Sequence, residues 1–299
     1  MISSLFSSLL FSSVSDFYDP RDDDSIKIPD GVSWQGHRGA RGLLPENTIP
    51  SFLKALEYPI TTLELDVAVS KDRQLIVTHE PWFNAAICTM PDGGLMDKET
   101  GKNLNIFQMT YEEIKQYDCG SKGNRRFPHQ IAQKTFKPSL KDTVKAVTQY
   151  CKENNMPLPY YNIEIKSEPA EYGIYTPHPT DFVATVLEEV RFLDIDNYCN
   201  LQSFDIAIME AIHKQAPEIP VAFLVENDSG VEDNLEKLSY KPTIYSPYYK
   251  MLDKKVIEYC HKKSIKVIPW TVNNGAIVRA LLAMGVDGII TDYPNMAKK

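Results

Sequence analysis

The sequence predicts an α/β fold, a TIM or (β/α)8 barrel with a small inserted subdomain after its second strand. From residue 32 onward, short apolar runs rich in β-branched residues alternate with segments of helical period. This alternation favours parallel strands, because parallel neighbours need a crossover connection. The length of 299 residues also suits a single barrel of this kind.

Nine segments have the composition of strands, whereas a barrel needs eight. They are Val32–His37, Thr62–Val69, Leu75–His79, Tyr160–Lys166, Cys199–Ser203, Val221–Val225, Thr243–Ser246, Lys266–Val272 and Gly288–Thr291. The link "SKDRQ" before the third segment is too short for a crossover and suits a hairpin, so Leu75–His79 is predicted to run antiparallel to the strand before it. This pairing would place His79 roughly opposite Asp66 and beside Glu64.

Apolar residues at helical spacing fall between the predicted strands. The stripes are Ile49, Phe52, Leu53 and Leu56; Leu140, Val144, Val147 and Cys151; Phe182, Val186, Val190 and Leu193; Val256, Ile257 and Cys260; and Ile277, Leu281 and Met284. The second stripe follows Ser139, with Asp142 three residues later, which is typical of a capped helix start. These segments are therefore predicted to be the helices of the barrel.

The alternation stops between residues 83 and 138, where glycine and proline are frequent. One short helix is predicted in "TYEEIKQY", because Thr110 and Glu113 form a capping-box pattern. A loop of this length in a compact barrel is usually functional or an appended unit. We therefore expect residues 83–138 to form an inserted subdomain over the mouth of a barrel domain that spans residues 32–299.

Residues 1–31 are expected to be either an N-terminal tail or the remnant of a secretory signal, because "MISSLFSSLLFSSVSDF" is apolar but interrupted by serine pairs and lacks basic residues. This serine-rich start favours an extracytoplasmic location, periplasmic or secreted, over a cytoplasmic one. The five cysteines lack the spacing of a metal site and are most simply buried thiols. A disulfide between Cys88 and Cys119 is left open.

The charge balance and hydropathy argue against two classes of partner. The net charge is −8 with a pI of about 5.3, which disfavours nucleic acid and anionic membrane surfaces. No stretch of about 18 apolar residues is present, so stable membrane insertion is not expected. A small anionic substrate stays compatible with this balance, because local cations or a metal can outweigh the global field. The oligomeric state is not set by the sequence.

Polar residues concentrate at the carboxyl ends of predicted strands, where barrel active sites lie. They are His37 and Arg38, Glu64 and Asp66 in "LELDV", and Glu164 and Lys166 in "NIEIK". The i, i+2 spacing within each strand places both side chains on one face, and the apolar residues between them face the helices. The polar face is therefore predicted to line the lumen.

Three carboxylates in a narrow lumen repel one another and are costly to desolvate without a compensating charge. A hard divalent cation, Mg²⁺ or Ca²⁺, suits the oxygen ligands Glu64, Asp66 and Glu164 better than zinc does. A polar network without a metal is the alternative interpretation.

Two histidines complete the set of candidate reactive groups. His37 and His79 come from different strands and would face each other across the mouth as a general acid and a general base. The cations Arg38 and Lys166 indicate a substrate that carries phosphate.

The motifs "HRG", "PENT", "ELDV", "NIEIK", "WTVN" and "DGIITDYP" occur in this order between Trp34 and Pro294. Together they resemble the glycerophosphodiester phosphodiesterase family. The resemblance implies a barrel enzyme that uses a divalent cation to cleave a small-molecule glycerophosphodiester to glycerol phosphate and an alcohol. It also implies that a glycerol hydroxyl attacks phosphorus to form a cyclic intermediate, with one histidine deprotonating that hydroxyl and the other protonating the leaving alcohol.

The resemblance assigns roles to matching positions. Glu64, Asp66 and Glu164 would be the metal ligands, His37 and His79 the acid/base pair, Arg38 and Lys166 the phosphate-binding residues, and Trp270 a wall for the glycerol. Within "PENT", Glu46 would support the loop or touch the metal region, and Asn47 also suits the N-cap of the next helix. The chain departs from the family at Glu80, where aspartate is usual, and in the following "PWFNAAICTMPDGG", so the alcohol pocket is left open.

Two other functions compete with this interpretation. One is a non-catalytic barrel that binds phosphoglycerol groups of a lipid or wall polymer; it would be favoured if either histidine were missing, and both are present. The other is a lipid phosphodiesterase of the phospholipase D or phosphoinositide-specific type. Such an enzyme is expected to expose an apolar or basic rim, which the acidic balance disfavours.

Overall fold

The computed structural model describes residues 25–298, so most of the predicted tail lies outside the described part of the chain. The strands are β1 (Ser33–Gly36), β2 (Thr62–Val69), β3 (Leu75–Val77), β4 (Tyr160–Ile165), β5 (Cys199–Ser203), β6 (Val221–Val225), β7 (Ile244–Pro247), β8 (Lys266–Val267) and β9 (Gly288–Thr291). Eight of them run parallel in the order β8-β7-β6-β5-β4-β2-β1-β9, and β3 pairs with β2 from outside this series. The predicted strands are confirmed to within a few residues at their ends, with β8 the shortest relative to its prediction.

The sheet closes between its first and last members in this order. Backbone hydrogen bonds run from Asp287 N to Val267 O (2.9 Å), from Ile290 N to Pro269 O (3.0 Å) and from Val272 N to Ile290 O (2.9 Å). They join β8 and the extended residues after it to β9. The fold is therefore a (β/α)8 barrel, as predicted, with its strands' carboxyl ends gathered at one mouth.

Helices cover the outside of this barrel, apart from two short ones that belong to residues 83–138. They are α1 (Ile49–Leu56), α2 (Lys98–Asn103), α3 (Tyr111–Ile114), α4 (Leu140–Glu153), α5 (Pro179–Phe192), α6 (Ile206–Gln215), α7 (Val231–Leu235), α8 (Lys254–Lys262) and α9 (Gly275–Met284). Each predicted apolar stripe lies on a helix, except that Leu193 is the residue after the last of its helix, and the buried members pack against the barrel. None of the helices in residues 25–298 combines the length and the hydropathy needed to cross a bilayer.

The β2–β3 hairpin is antiparallel as predicted, but its register differs by one residue. Val67 pairs with Val77, and the Thr78 amide donates to the Asp66 carbonyl (3.0 Å), so Thr78 and not His79 lies opposite Asp66. The prediction was wrong because Ser70 belongs to the turn, where its amide donates to Gln74 O (2.9 Å). His79 therefore lies beyond the paired residues of the hairpin, and strand pairing does not set its position.

Residues 83–138 form a compact segment with a hydrophobic cluster of its own. The buried members are Ala68 and Ile76 of the hairpin together with Phe83, Ile87, Cys88, Met96, Ile106, Tyr111, Ile114 and Cys119. Cys88 and Cys119 are joined by a disulfide, and the predicted capping box of Thr110 and Glu113 is present at the start of α3. The cysteines outside this segment are buried free thiols.

Candidate active site

Three carboxylates meet in the lumen at the mouth of the barrel. Glu64 and Asp66 lie on β2, and Glu164 lies on β4 directly across from Asp66. One ligand oxygen of each lies within 4.8 Å of the others, and all three residues are buried. The alternation of polar and apolar residues along both strands thus brings the acids to one point.

Ionisation of this cluster is uneven. Burial and the neighbouring acids raise the pKa of Glu64 well above its ordinary value, and burial also raises that of Glu164 despite the charge of Lys166. Burial opposes ionisation of Asp66 as well, but the charges of Arg38 and Lys166 and the hydrogen bond from Asn47 outweigh it and lower its pKa. Carboxylates held this close cannot all be ionised unless further positive charge is present.

Arg38 and Lys166 supply part of that charge. The Arg38 Nη1 donates to Glu46 Oε1 (2.7 Å), and its Nε lies 3.2 Å from Asp66 Oδ2, an ion pair without the alignment of a hydrogen bond. The Lys166 Nζ donates to Glu164 Oε1 (2.7 Å). Each predicted phosphate-binding cation therefore also contacts one of the predicted metal ligands.

The backbone of the "HRG" motif is shaped by close packing on α1. Arg38 adopts φ 52° and its amide donates to Glu64 Oε2 (2.9 Å). Gly39 follows with φ 86°, and a Cβ there would lie 2.7 to 2.8 Å from atoms of Ser51. Glycine is required at residue 39 because no other side chain fits this gap in this conformation.

Asn47 contacts the acidic cluster and does not cap α1. Its backbone is left-handed (φ 55°), and its Nδ2 donates to Asp66 Oδ2 (2.7 Å). The N-cap is Thr48, whose side chain accepts from Ser51 N. The predicted capping role of Asn47 was wrong because an N-cap needs an extended backbone, which Thr48 has.

His37 is held by the carboxylate of Asp292, which directly follows β9. Its Nδ1 lies 2.7 Å from Asp292 Oδ1, and its Nε2 lies 3.9 Å from Glu64 Oε2. Burial and the charge of Arg41 lower the pKa of His37 to about 4, against the opposing effect of Asp292. The neutral ring then carries its proton on Nδ1 and leaves Nε2 as a proton acceptor that faces the cleft.

Asp292 is itself fixed by two neighbours that sequence reasoning missed. Arg41 binds it through Nε (2.7 Å) and Nη2 (2.9 Å), and Asn273 Nδ2 donates to its Oδ2 (2.6 Å). Arg41 and Asp292 stand in the segments "HRGARG" and "DGIITDYP", but nothing in their spacing signals a contact between residues so distant in the chain. Their juxtaposition follows from the neighbouring positions of β1 and β9.

His79 is also held by a carboxylate, that of Glu80. Its Nδ1 lies 3.1 Å from Glu80 Oε1, which also accepts from Asn84 Nδ2 (3.1 Å), and its Nε2 lies 3.2 Å from Lys166 Nζ. An ammonium can only donate, so Nε2 of His79 is an acceptor in this arrangement. The Glu80 that departs from the family pattern still provides a carboxylate to the ring.

These groups line a cleft of about 200 Å³. Its other wall is apolar and contains Phe204, Leu224, Trp270 and Ile290. The Trp270 ring is oriented by a hydrogen bond from Nε1 to Ser246 O (2.9 Å) and by edge contact with Phe204. Arg126, from residues 83–138, also lines the cleft. The cleft therefore offers charged side chains to an anionic group and apolar side chains to the carbon atoms of a ligand.

A (β/α)8 barrel with histidines, clustered acids and cations gathered at the carboxyl ends of its strands has the arrangement of an enzyme active site. The model of the glycerophosphoryl diester phosphodiesterase family matches residues 37–296. The chain belongs to this family, and the match includes each of the acids, histidines and cations described above.

Individual relatives agree with this assignment. The glycerophosphodiester phosphodiesterase of Bacillus altitudinis is 29% identical over 268 residues, covering 88% of this chain and 95% of the relative. A Silicibacter pomeroyi crystal structure assigned as a glycerophosphoryl diester phosphodiesterase is 28% identical, has a TM-score of 0.78, and covers 90% of this chain and 92% of its own. An Oleispira antarctica phosphodiesterase, solved with the product sn-glycerol-3-phosphate, shares the fold with a TM-score of 0.67 at 22% identity, over 88% of this chain and 93% of its own.

Proposed function

We propose that the chain hydrolyses a glycerophosphodiester to glycerol phosphate and an alcohol, with a divalent cation and with His37 and His79 as the acid/base pair. The observation that carries this proposal is that a carboxylate orients each of the two histidine rings. Each histidine has its Nδ1 against a carboxylate, and each side chain lines the same cleft. Nε2 of each ring is then the atom that exchanges a proton with the substrate, and for His79 this requires the Lys166 ammonium to move from Nε2 to the substrate phosphate.

The acids fit a hard divalent cation. Glu64, Asp66 and Glu164 would hold it, and Asp66 Oδ1 is buried without a hydrogen-bond partner within residues 25–298. All donor atoms are carboxylate oxygens, which suits Mg²⁺ or Ca²⁺. The bound ion would stabilise the negative charge that develops on the phosphoryl oxygens.

The remaining residues bind the substrate and move its protons. Arg38 and Lys166 contact the phosphate and orient it, and Trp270 packs against the glycerol carbons. One histidine takes the proton of the attacking hydroxyl as its oxygen bonds to phosphorus. The other histidine, which must hold a proton on Nε2 at this stage, gives it to the alcohol oxygen as the bond from phosphorus to that oxygen breaks. Water then opens the cyclic phosphate: the second ring takes a proton from the water as its oxygen bonds to phosphorus, and the first ring returns its proton to the glycerol oxygen as that bond breaks, which leaves glycerol phosphate.

The carboxylate cluster provides the test of this proposal. Release of glycerol phosphate from glycerophosphocholine is measured with EDTA, and again after Mg²⁺ or Ca²⁺ is restored. We expect activity only with a metal, and a loss of at least 100-fold in Asp66→Asn. Asp228→Asn, which removes an exposed carboxylate outside the cleft, is the control and should retain activity. Equal release with and without metal would contradict the metal-dependent proposal.

The same assay separates the competing functions. Binding of glycerophosphocholine without turnover by the folded, metal-supplied chain would favour the non-catalytic barrel. Turnover of intact lipid without turnover of the deacylated diester would favour a lipid phosphodiesterase.

We also propose an extracytoplasmic location. The Cys88–Cys119 disulfide supports it, since disulfides persist mainly in oxidising compartments. Fractionation of the producing cells tests this proposal, and recovery of the protein in the cytoplasm with both thiols reduced would contradict it.

A further inference from the structure

The inserted segment brings one cation into the cleft that has no acidic partner in the described part of the chain. Arg38 pairs with Glu46 and Asp66, Arg41 with Asp292, and Lys166 with Glu164. Arg126, in contrast, is exposed, and the contact of its guanidinium within residues 25–298 is the ring of Phe127, 6.0 Å away. Its charge is therefore available to a ligand in the cleft that it lines.

The loop that carries Arg126 is anchored to the barrel. Gln130 Nε2 donates to the carbonyls of Arg41 (2.7 Å) and Leu44 (3.2 Å), and Ile131 N donates to Leu43 O (2.9 Å). Phe127 is buried between the Arg41 guanidinium, 5.0 Å from its ring centre, and the Tyr293 ring at 6.2 Å. These contacts fix the loop against the β1–α1 connection, so Arg126 has a defined place at the rim.

The rim position separates Arg126 from the reacting phosphorus. A scissile phosphate must reach the Nε2 atoms of His37 and His79 and the acids, and His37 and the acids are buried at the floor of the cleft. The floor already holds Arg38 and Lys166 for that phosphate. An exposed guanidinium at the rim is instead suited to a second anionic group, because it offers planar paired donors to a carboxylate or a phosphate.

We propose that Arg126 is a specificity residue that binds a second negatively charged group on the substrate, so that the enzyme favours glycerophosphodiesters whose alcohol half carries a carboxylate or a phosphate. This inference rests on the proposed function. It concerns the alcohol half of the substrate, whose binding pocket the sequence did not assign.

A matched pair of substrates tests it. Glycerophosphoserine and glycerophosphoethanolamine differ only by one carboxylate, and kcat/KM is measured for both with the metal-supplied full chain. We expect a ratio of about five in favour of glycerophosphoserine, the size typical of an exposed ion pair with good geometry. Arg126→Gln should bring this ratio to about one, and Arg126→Glu should invert it.

The neighbouring arginine provides the control. Arg125 is also exposed but does not line the cleft, so Arg125→Gln removes the same charge from the same loop and should keep the ratio of the parent chain. An unchanged ratio in Arg126→Gln, whether both rates fall equally or neither falls, would overturn the inference and leave diester hydrolysis standing. Failure of the parent chain to turn over either diester would overturn the proposed function together with this inference.

Discussion

The Nδ1 atom of His37 lies 2.7 Å from Oδ1 of Asp292, although 255 positions separate the two residues in the sequence. Barrel closure produces this contact, because β1 pairs with β9 and Gly36, one residue before the histidine, lies beside Thr291, one residue before the aspartate. The contact fixes both the ring's orientation and the nitrogen that carries its proton. Pairing of the first and last strands thus brings the carboxylate of Asp292 to the histidine that it orients.

Asp292→Asn should lower kcat about 100-fold or more while changing KM little. The amide can donate to Nδ1 of His37 and thereby favour the tautomer whose Nε2 carries the proton, which is the wrong form for an acceptor. Steady-state kinetics with glycerophosphocholine measures this, and circular dichroism reports whether the variant is folded. Asp287→Asn, which alters an aspartate bonded to His261 at the other end of β9, is the control. A fall in kcat of equal size in both variants would contradict the specific role of Asp292.

Asn47→Ala should weaken metal binding by about 10- to 100-fold, because Asp66 loses the amide that orients its Oδ2. Titration calorimetry with Mg²⁺ and Ca²⁺ measures the dissociation constants. Replacing asparagine in a left-handed conformation also strains the backbone, so Asn155→Ala is the matched control: Asn155 has φ 51° and lies after α4, away from the cleft. If both variants bind metal alike, Asn47 does not act on the metal ligands.

Metal should stabilise the folded chain, and Glu64→Gln should abolish much of that effect. A ligand that binds only the folded state at 100 times its dissociation constant adds about 2.7 kcal/mol to the free energy of unfolding. Thermal unfolding with EDTA and with saturating Mg²⁺ or Ca²⁺ measures the difference. A parent chain whose Tm is the same in both solutions would argue that the acids form a polar network without metal.

Glu189 should make stability depend on pH. Its carboxylate accepts from Leu75 N (3.3 Å) and Lys141 N (3.2 Å), and burial raises its pKa from 4.5 to about 7. The folded state therefore holds a proton that the unfolded state loses between about pH 4.5 and 7, so the free energy of unfolding should fall by about 1 to 3 kcal/mol as pH rises through this window.

Urea unfolding at pH 5 and pH 8 measures this slope. Glu189→Gln cannot ionise and should flatten it, whereas Glu188→Gln, its exposed neighbour, should not. A parent and a Glu189→Gln variant with the same pH dependence would show that burial of this carboxyl does not control it.

Elements set by local patterning were predictable from the sequence. The alternation in "LELDV" and "NIEIK" placed Glu64, Asp66 and Glu164 on one face, and the structure brings these acids together. The short link after β2 likewise predicted the hairpin, although not its register. The roles of these residues as metal ligands stay predictions.

Site contacts that depend on closure of the barrel or on irregular backbone conformations were not predictable from the sequence. The pairing of Asp292 with Arg41 depends on the seam of the barrel, and Asn47 turns to Asp66 because of a left-handed residue that no periodicity marks. Arg126 reaches the cleft through a loop in the segment where the alternation of strands and helices stops. In each case the deciding geometry is long-range, whereas the patterns that were used are local.

Catalysis by the two histidines is tested by the kcat of His37→Ala and His79→Ala for release of glycerol phosphate from glycerophosphocholine with saturating metal. We expect each variant to lose at least 100-fold in kcat while its metal-induced rise in Tm persists, because each ring moves a proton and neither is expected to hold the ion. His213→Ala, an exposed histidine stacked on Tyr240, should keep the activity of the parent chain. Turnover near the parent rate in either of the first two variants would contradict catalysis by a pair of histidines.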